Sequence, residues 1–387
     1  MSVTMNGAKS MLAGVSRVPL GFFPTPLHRL EKMSEELGVN LWIKRDDFTG
    51  SNLFGGNKTR KLEFLIGKAL DEGASAVITY GATQSNHAMQ TAWAAAKSGL
   101  KPILYLAAVV PPDPDDFKAN LLLDGIYGAE IHVVDLEEGE SFEDAERRSF
   151  KMGKAHIARL ADSGVICYDI PMGGANEYGS LGYVNAMIEL AEQMDAASVG
   201  FDYLYHSTGS GGTMAGLVAG KHLLGLNMEI HSVTAMGVGD DGSYAARAAR
   251  LANGALELIG GGAPSAGGSV VSDDVPAGGS AVASGAPADG PAVSGDALAV
   301  TPDDFVIDQN HYAPGYECPS EEATEAIKLL ARTEGILVDP VYSGKAFAGL
   351  IADIRSGQIP AGSNVLFLHT GGSTVFFAEK EILGELV

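Results

Sequence analysis

From Asn40 onward, short β-branched or apolar runs alternate with longer segments of helical period, the pattern of an α/β protein whose strands are covered by helices on both faces. The predicted strands are Leu41 to Lys44, Ala76 to Tyr80, Pro102 to Leu106, Glu130 to Val134, Val165 to Ile170, Tyr203 to His206, Glu229 to Val233 and Asn364 to His369. Helices are predicted between them. Asn57 to Leu70 places Leu62, Leu65, Ile66 and Leu70 near one stripe, and Ser320 to Glu334 places Ala323, Ile327, Leu330 and Ala331 on one face. The second helix opens Pro319-Ser320-Glu321-Glu322 and stops at Gly335, with N-cap, acidic first turn and glycine C-cap in the expected order.

A chain of 387 residues has room for two domains, and 46% hydrophobic with 19% charged residues describes a folded globular protein. With 26 basic and 48 acidic side chains the net charge is −22, a field that repels nucleic acid and anionic membrane surfaces alike. The two cysteines, Cys167 and Cys318, make no disulfide framework and no metal-ligand spacing with histidine, so no metal is expected and a reducing cytoplasm fits. Met1 to Gly14 lacks an apolar core of signal-peptide length, and a soluble, unprocessed protein is expected. Gly260 to Asp296 breaks the rhythm. It is nearly all glycine, alanine, serine, proline, valine and aspartate, and is expected to be a disordered insertion at the surface.

Three glycine-rich places follow or precede predicted elements. Gly55-Gly56-Asn57-Lys58-Thr59-Arg60-Lys61 opens a helix with two lysines three residues apart, where positive charge opposes the helix dipole. Such a turn is either a surface turn with solvated lysines or the seat of a lysine nucleophile. Ser207-Thr208-Gly209-Ser210-Gly211-Gly212-Thr213 lies between a strand and a helical run from Met214, and its backbone N–H groups suit a single phosphate. It lacks the lysine of a Walker loop, and there is no GxGxxG with a following acidic residue. His369-Thr370-Gly371-Gly372 ends another strand, and Gln84-Ser85-Asn86-His87 follows a third, the strand ends at which ligands collect in open α/β sheets. A GxSxG elbow and an HExxH motif are both missing.

Taken together, GGNK, Ser-Asn-His after a strand, the hydroxyl-rich glycine loop and the terminal TGG resemble the pyridoxal-phosphate enzymes of the tryptophan-synthase β type. Within them the chain is similar to the D-cysteine desulfhydrase and 1-aminocyclopropane-1-carboxylate deaminase family. The likeness runs through Pro24-Thr25-Pro26-Leu27, Ile43 to Asp47, Gly55 to Leu65, Pro171-Met172-Gly173-Gly174, Gly182-Tyr183, Gly315-Tyr316, Asp339-Pro340-Val341-Tyr342 and Leu368 to Gly372. It implies a two-domain fold type II enzyme, each domain a mostly parallel sheet covered by helices. Residues 1–54 and 166–387 form the large cofactor-binding domain and 55–165 the small one, with the 260–296 insertion in the large domain and pyridoxal 5'-phosphate in the cleft. Lys58 is then the Schiff-base lysine, and Lys61 with Ser207, Thr208, Gly209, Ser210, Gly211, Gly212 and Thr213 the phosphate clamp. Asn86 meets the ring hydroxyl. Ser85, Asn86 and His87 meet the substrate carboxylate, and Tyr316 and Tyr342 flank the reacting carbon. The resemblance also implies a homodimer.

Family members that open the cyclopropane ring resemble one another in carrying Glu after the second tyrosine and Leu before the closing glycine pair. Desulfhydrases carry small hydroxyl residues there, as this chain does with Ser343 and Thr370. A neutral hydroxyl against the pyridine nitrogen leaves the ring a weaker electron sink than a carboxylate does, sufficient for a good leaving group such as thiolate. The expected reaction is β-elimination from D-cysteine to pyruvate, hydrogen sulfide and ammonia, with Lys58, Ser85, Tyr316 and Tyr342 catalytic and Ser343 at the substrate. L-cysteate sulfo-lyase is the alternative, followed by 1-aminocyclopropane-1-carboxylate deaminase.

Overall fold

The computed structural model describes residues 2–50, 54–108, 110–113, 115–260 and 299–386. From 261 to its end, the predicted insertion lies outside the described residues. Two sheets form. The six-stranded sheet contains β1 (Leu27–Arg29), β2 (Asn40–Arg45), β7 (Tyr203–Thr208), β8 (Glu229–Thr234), β9 (Val306–Asp308) and β10 (Asn364–His369), ordered β1-β2-β10-β7-β8-β9. The four-stranded sheet contains β3 (Ala76–Ala82), β4 (Lys101–Ala108), β5 (Glu130–Asp135) and β6 (Cys167–Asp169), ordered β5-β4-β3-β6. Every pairing is parallel except β1 with β2.

Helices α1 (Met5–Leu12), α2 (Glu31–Leu37), α3 (Asn57–Asp71), α4 (Asn86–Lys97), α5 (Ala119–Ile126) and α6 (Phe142–Asp162) come before the second crossing of the large sheet. They are followed by α7 (Glu177–Ala197), α8 (Gly212–Leu224), α9 (Ser243–Leu258), α10 (Glu321–Glu334), α11 (Ser343–Ser356) and α12 (Lys380–Leu383). Among the described residues no helix is long and apolar enough to cross a membrane.

Period-two alternation decides which face each strand residue serves. Along β10, Leu366 and Leu368 pack with α7, α8 and α9, whereas Val365 and Phe367 pack with α2, α10 and α11. Along β3, Val77 meets Leu62, Leu65 and Trp93 of α3 and α4, and Ala76, Ile78 and Tyr80 face Phe150 and Ile157 of α6. Both sheets are therefore apolar on both sides, as parallel sheets require.

The eight predicted strands all occur. β1 and β9 were not predicted, because each is a three-residue edge strand with little burial and so no apolar run to read. β6 is shorter than Val165 to Ile170, since only Cys167, Tyr168 and Asp169 are in register with β3 before Pro171 ends the ladder. It pairs with β3 within the four-stranded sheet, just past residue 165. Ser320 caps α10 by accepting from the Ala323 amide, and Gly335 closes it at φ +71, both as the sequence predicts.

One anchor positions α3 on the large sheet. Arg60, 1% exposed, donates to both oxygens of Asp46 at 2.7 and 2.8 Å and to both oxygens of Glu189 at 2.9 Å. Lys44 pairs with Glu189, and Tyr183 donates to Asp46 at 2.7 Å. Burial alone would raise the Asp46 carboxyl; the Arg60 guanidinium overrides it and holds the group below the ordinary range.

Candidate active site

The carboxyl ends of β3, β7 and β10 bring the three glycine-rich segments and the Gln84 to His87 turn to one cleft. The GGNK turn is joined directly to the closing TGG: Gly56 and Gly371 form an antiparallel bridge, and the Asn57 amide donates to the Thr370 carbonyl at 3.0 Å. Asn57 also donates through Nδ2 to Thr213 Oγ1 at 3.1 Å, which links the same turn to the start of α8. The β7–α8 loop therefore meets both the first turn of α3 and the end of β10.

Lys58 and Lys61 both point here, and neither has a carboxylate partner among the described residues. Lys58 is half-buried, and desolvation lowers its amine to about 8. Lys61 is fully buried and donates to the Gly173 carbonyl at 3.0 Å; burial, then Lys58 and Arg247, push it well below the ordinary lysine range. Space for a bound group depends on missing side chains. A Cβ on Gly212 would sit 3.0 Å from Lys61 Nζ, and a Cβ on Gly173, at φ +66, would collide with Ser210 Oγ and lie 3.8 Å from Lys58 Nζ. Two lysine amines without a carboxylate partner beside the N-terminus of a 13-residue helix form a site for an anion with a carbonyl, which is what a pyridoxal phosphate requires.

Hydroxyl groups line the opposite wall. Ser207 Oγ, Thr370 Oγ1 and Ser343 Oγ form a chain with steps of 3.1 Å each, and the Asp339 carboxylate interacts with its Ser343 end. Thr208 Oγ1 lies 2.8 Å from the hydroxyl of Tyr244, which donates to the Gly209 carbonyl at 2.8 Å. Tyr316 and Tyr342 share a hydrogen bond of 2.7 Å with rings at 71°, and Tyr342 comes within 3.4 Å of where a Cβ on Gly209 would be.

The β3–α4 turn supplies the remaining predicted residues. Ser85 Oγ accepts from the Ala88 amide as the α4 N-cap, leaving its O–H to donate elsewhere. Asn86 Oδ1 accepts from Asn120 at 2.9 Å and from Thr374 at 3.3 Å. His87 is buried, with Nε2 at 2.8 Å from Thr79 Oγ1. Because Thr79 spends its one hydrogen on the Ile170 carbonyl, His87 Nε2 is the donor and Nδ1 the bare acceptor. Nδ1 has no partner within hydrogen-bond geometry, and desolvation, then Lys58 and Lys61, push the imidazole well below the ordinary histidine range against the pull of the Pro171 backbone. A Cβ on Gly174 would touch both His87 and Lys61, so this ring stands beside the lysines rather than the tyrosines.

Several contributors are not read from the sequence. Gln90 caps α3 by accepting from the Thr59 amide and hydroxyl at 3.0 and 3.1 Å. Asp339 accepts from the amides of Val341, Tyr342 and Ser343 at 3.0, 2.7 and 2.9 Å, which fixes the second tyrosine and the hydroxyl after it. Asp339-Pro340-Val341-Tyr342 is a visible motif, but nothing in it announces that its acid serves its own following amides. Away from the cleft, Glu130, His132 and His156 bring ligand atoms within 4.8 Å of one another; Lys101 holds the second oxygen of Glu130, which places a cation where a metal would need none.

A model of the family described as pyridoxal-phosphate dependent enzyme matches residues 18–371. A Thermotoga maritima protein named provisionally as a 1-aminocyclopropane-1-carboxylate deaminase is 35% identical over 368 residues, 95% of this chain and 99% of its own. A Serratia proteamaculans D-cysteine desulfhydrase is 34% identical over 369 residues, 95% of this chain and 97% of its own. Among solved structures, an ACC deaminase homologue superposes with a TM-score of 0.76 at 33% identity, covering 98% of this chain and 99% of its own. The processed form of threonine deaminase isoform 2 from Solanum lycopersicum shares the fold at a TM-score of 0.56 and 17% identity, covering 96% of this chain and 86% of its own.

Proposed function

Since the chain belongs to the pyridoxal-phosphate dependent enzymes, in the group of D-cysteine desulfhydrases and 1-aminocyclopropane-1-carboxylate deaminases, we propose that it catalyses β-elimination from a small β-substituted amino acid. D-cysteine is the first candidate, converted with one water to pyruvate, hydrogen sulfide and ammonia. The observation that carries this choice is the hydroxyl chain Ser207, Thr370 and Ser343, in which Ser343 itself stands where a ring-opening enzyme is expected to place a glutamate. Pyridoxal phosphate, when bound, supplies an electron-withdrawing ring conjugated to the substrate nitrogen.

The residues divide the remaining work. Lys61 and the amides at the start of α8 hold the phosphate, whose negative charge supplies the partner that the buried Lys61 amine otherwise lacks. Lys58 is the attachment point and, with an amine near 8, the base for the Cα proton. Ser85 and the start of α4 receive the substrate carboxylate, and Asn86 is held toward the cofactor by Asn120 and Thr374. Tyr316 and Tyr342 share one hydrogen bond, which holds the two neutral hydroxyls together at the β-substituent. We place the small domain at 55–169 and the large one in the rest of the chain, and expect a cytoplasmic homodimer.

The test is pyruvate release by the cofactor-loaded protein from D-cysteine, L-cysteine and L-cysteate, beside ring opening of 1-aminocyclopropane-1-carboxylate. Pyruvate from D-cysteine above the other three supports the proposal; ring opening as the dominant activity overturns it. Ring opening is the second reading, favoured by the name of the Thermotoga relative.

A further inference from the structure

The tyrosine pair has two acid neighbours that none of the roles above uses. Glu317, next to Tyr316, is held at φ +56, a left-handed conformation that costs free energy for a residue with a Cβ. It is 3% exposed, its Oε2 has no hydrogen-bond partner, and among the described residues no cation pairs with it. Burial and then Glu379 push this carboxyl up to about 8. Glu146, on α6, repeats the pattern from the other sheet: its Oε1 is buried without a partner, and burial with Glu143 raises it to about 7 against the pull of Arg247. Both acids act on both tyrosine hydroxyls, and Phe142, one turn before Glu146, stacks on the Tyr316 ring at 5.6 Å.

A strained backbone at Glu317 and an orphaned carboxyl oxygen on each of the two acids are features a fold retains where something else uses them. We propose that Glu146 and Glu317, together with Tyr316 and Tyr342, form a subsite for the β-substituent of the substrate, selecting groups that donate hydrogen bonds and excluding anionic ones. Above pH 8, where both acids are ionised and accept only, an amino, hydroxyl or thiol group gives the orphaned oxygens a donor, and the preference is read there. A sulfonate brings only acceptors and a negative charge to Glu317, which no cation pairs with among the described residues, and to Glu146, where burial outweighs the pull of Arg247 and Arg147. This proposal rests on the β-elimination reading and narrows its substrate class, setting L-cysteate below the neutral and cationic amino acids.

Binding is read from the change in cofactor absorbance as the holoenzyme is titrated with both enantiomers of 2,3-diaminopropionate, serine, cysteine and cysteate. The proteins compared are wild type, Glu317→Gly, Glu317→Gln and Glu146→Gln, and each is also melted thermally. Wild type should bind the donor-bearing amino acids at least about tenfold more tightly than cysteate of the same hand. Glu317→Gly should raise Tm by about 2 °C, by relieving strain and an unpaired acid, while the preference falls about tenfold. The two glutamine variants keep the shape and should each shift the preference toward cysteate. Tighter binding of cysteate than of serine by wild type, or a Glu317→Gly variant with lower Tm and unchanged preference, overturns the subsite alone. If Glu317→Gly fails to fold, an unchanged preference in both glutamine variants overturns it. No absorbance change with any of the amino acids overturns the β-elimination reading as well.

Discussion

Lys58 carries a charge the fold opposes, and replacing it should make the cofactor-free protein more stable while abolishing turnover. Its amine sits near 8 in the folded chain against 10.5 for an ordinary lysine, because burial removes water and no acid replaces it. That gap corresponds to about 3 kcal/mol. The side chain is only half-buried, so solvent screening reduces the expected figure to about 2 kcal/mol. Below pH 8 the lysine is protonated both folded and unfolded, and the whole penalty is present. Between pH 8 and 10.5 the folded lysine has lost its proton while the unfolded one retains it, so wild-type stability gains with pH until the penalty is gone.

Lys58→Met fills nearly the same volume without the charge. Urea unfolding of the cofactor-stripped proteins, followed by fluorescence of Trp42 and Trp93, should find the variant more stable by about 2 kcal/mol at pH 7, with the difference closing by pH 10.5. Comparing the two proteins at each pH cancels every titrating group they share. A variant that is less stable at pH 7, or a difference that does not change between pH 7 and 10.5, would refute the claim that an uncompensated ammonium is held in the cleft.

Gly173→Ala should weaken retention of pyridoxal phosphate at least tenfold, because the new Cβ, at φ +66, collides with Ser210 and crowds Lys58; absorbance during dialysis measures it, and full retention would remove Gly173 from the cofactor's surroundings. Arg60→Ala strands the carboxylates of Asp46 and Glu189 in the interior and should cost about 3–5 kcal/mol in urea unfolding, with a loss below about 1 kcal/mol excluding the anchor described for α3.

What the sequence disclosed was local. The GGNK turn, the Ser207 to Thr213 loop and the TGG segment each occupy consecutive positions after or before an element, so their small residues are conspicuous without knowing what they touch. Edge strands β1 and β9 were invisible because three half-exposed residues make no periodic run. The same holds for the groups that complete the cleft. Gln90 is 31 positions from Thr59, Tyr244 is 36 from Thr208, and Glu189 is 129 from Arg60, and each role exists only once the chain has closed those distances. Glu317 was passed over for a different reason. Its backbone angle and missing partner distinguish it, and neither is a property of residue type.

The arrangement of cations on α3 resolves the conflict between its lysines and the helix dipole. At about 100° per residue, Lys58 and Lys61 lie about 60° apart on one side, while Arg60 falls about 130° from the line midway between them. Arg60 therefore turns into the large sheet, where Asp46 and Glu189 balance it, and the lysines turn into the cleft, where nothing does. An acidic residue in the first turn would have stabilised this helix start by several tenths of a kcal/mol, and α3 has none. Such an acid would also have paired with Lys58 or Lys61, quenching the charge meant for a phosphate and raising the amine that has to give up its proton. The neutral amide of Gln90 satisfies the Thr59 N–H instead, so the helix is capped without a negative charge near the lysines. The helix start is thus built to leave its two lysines unpaired until an anion arrives.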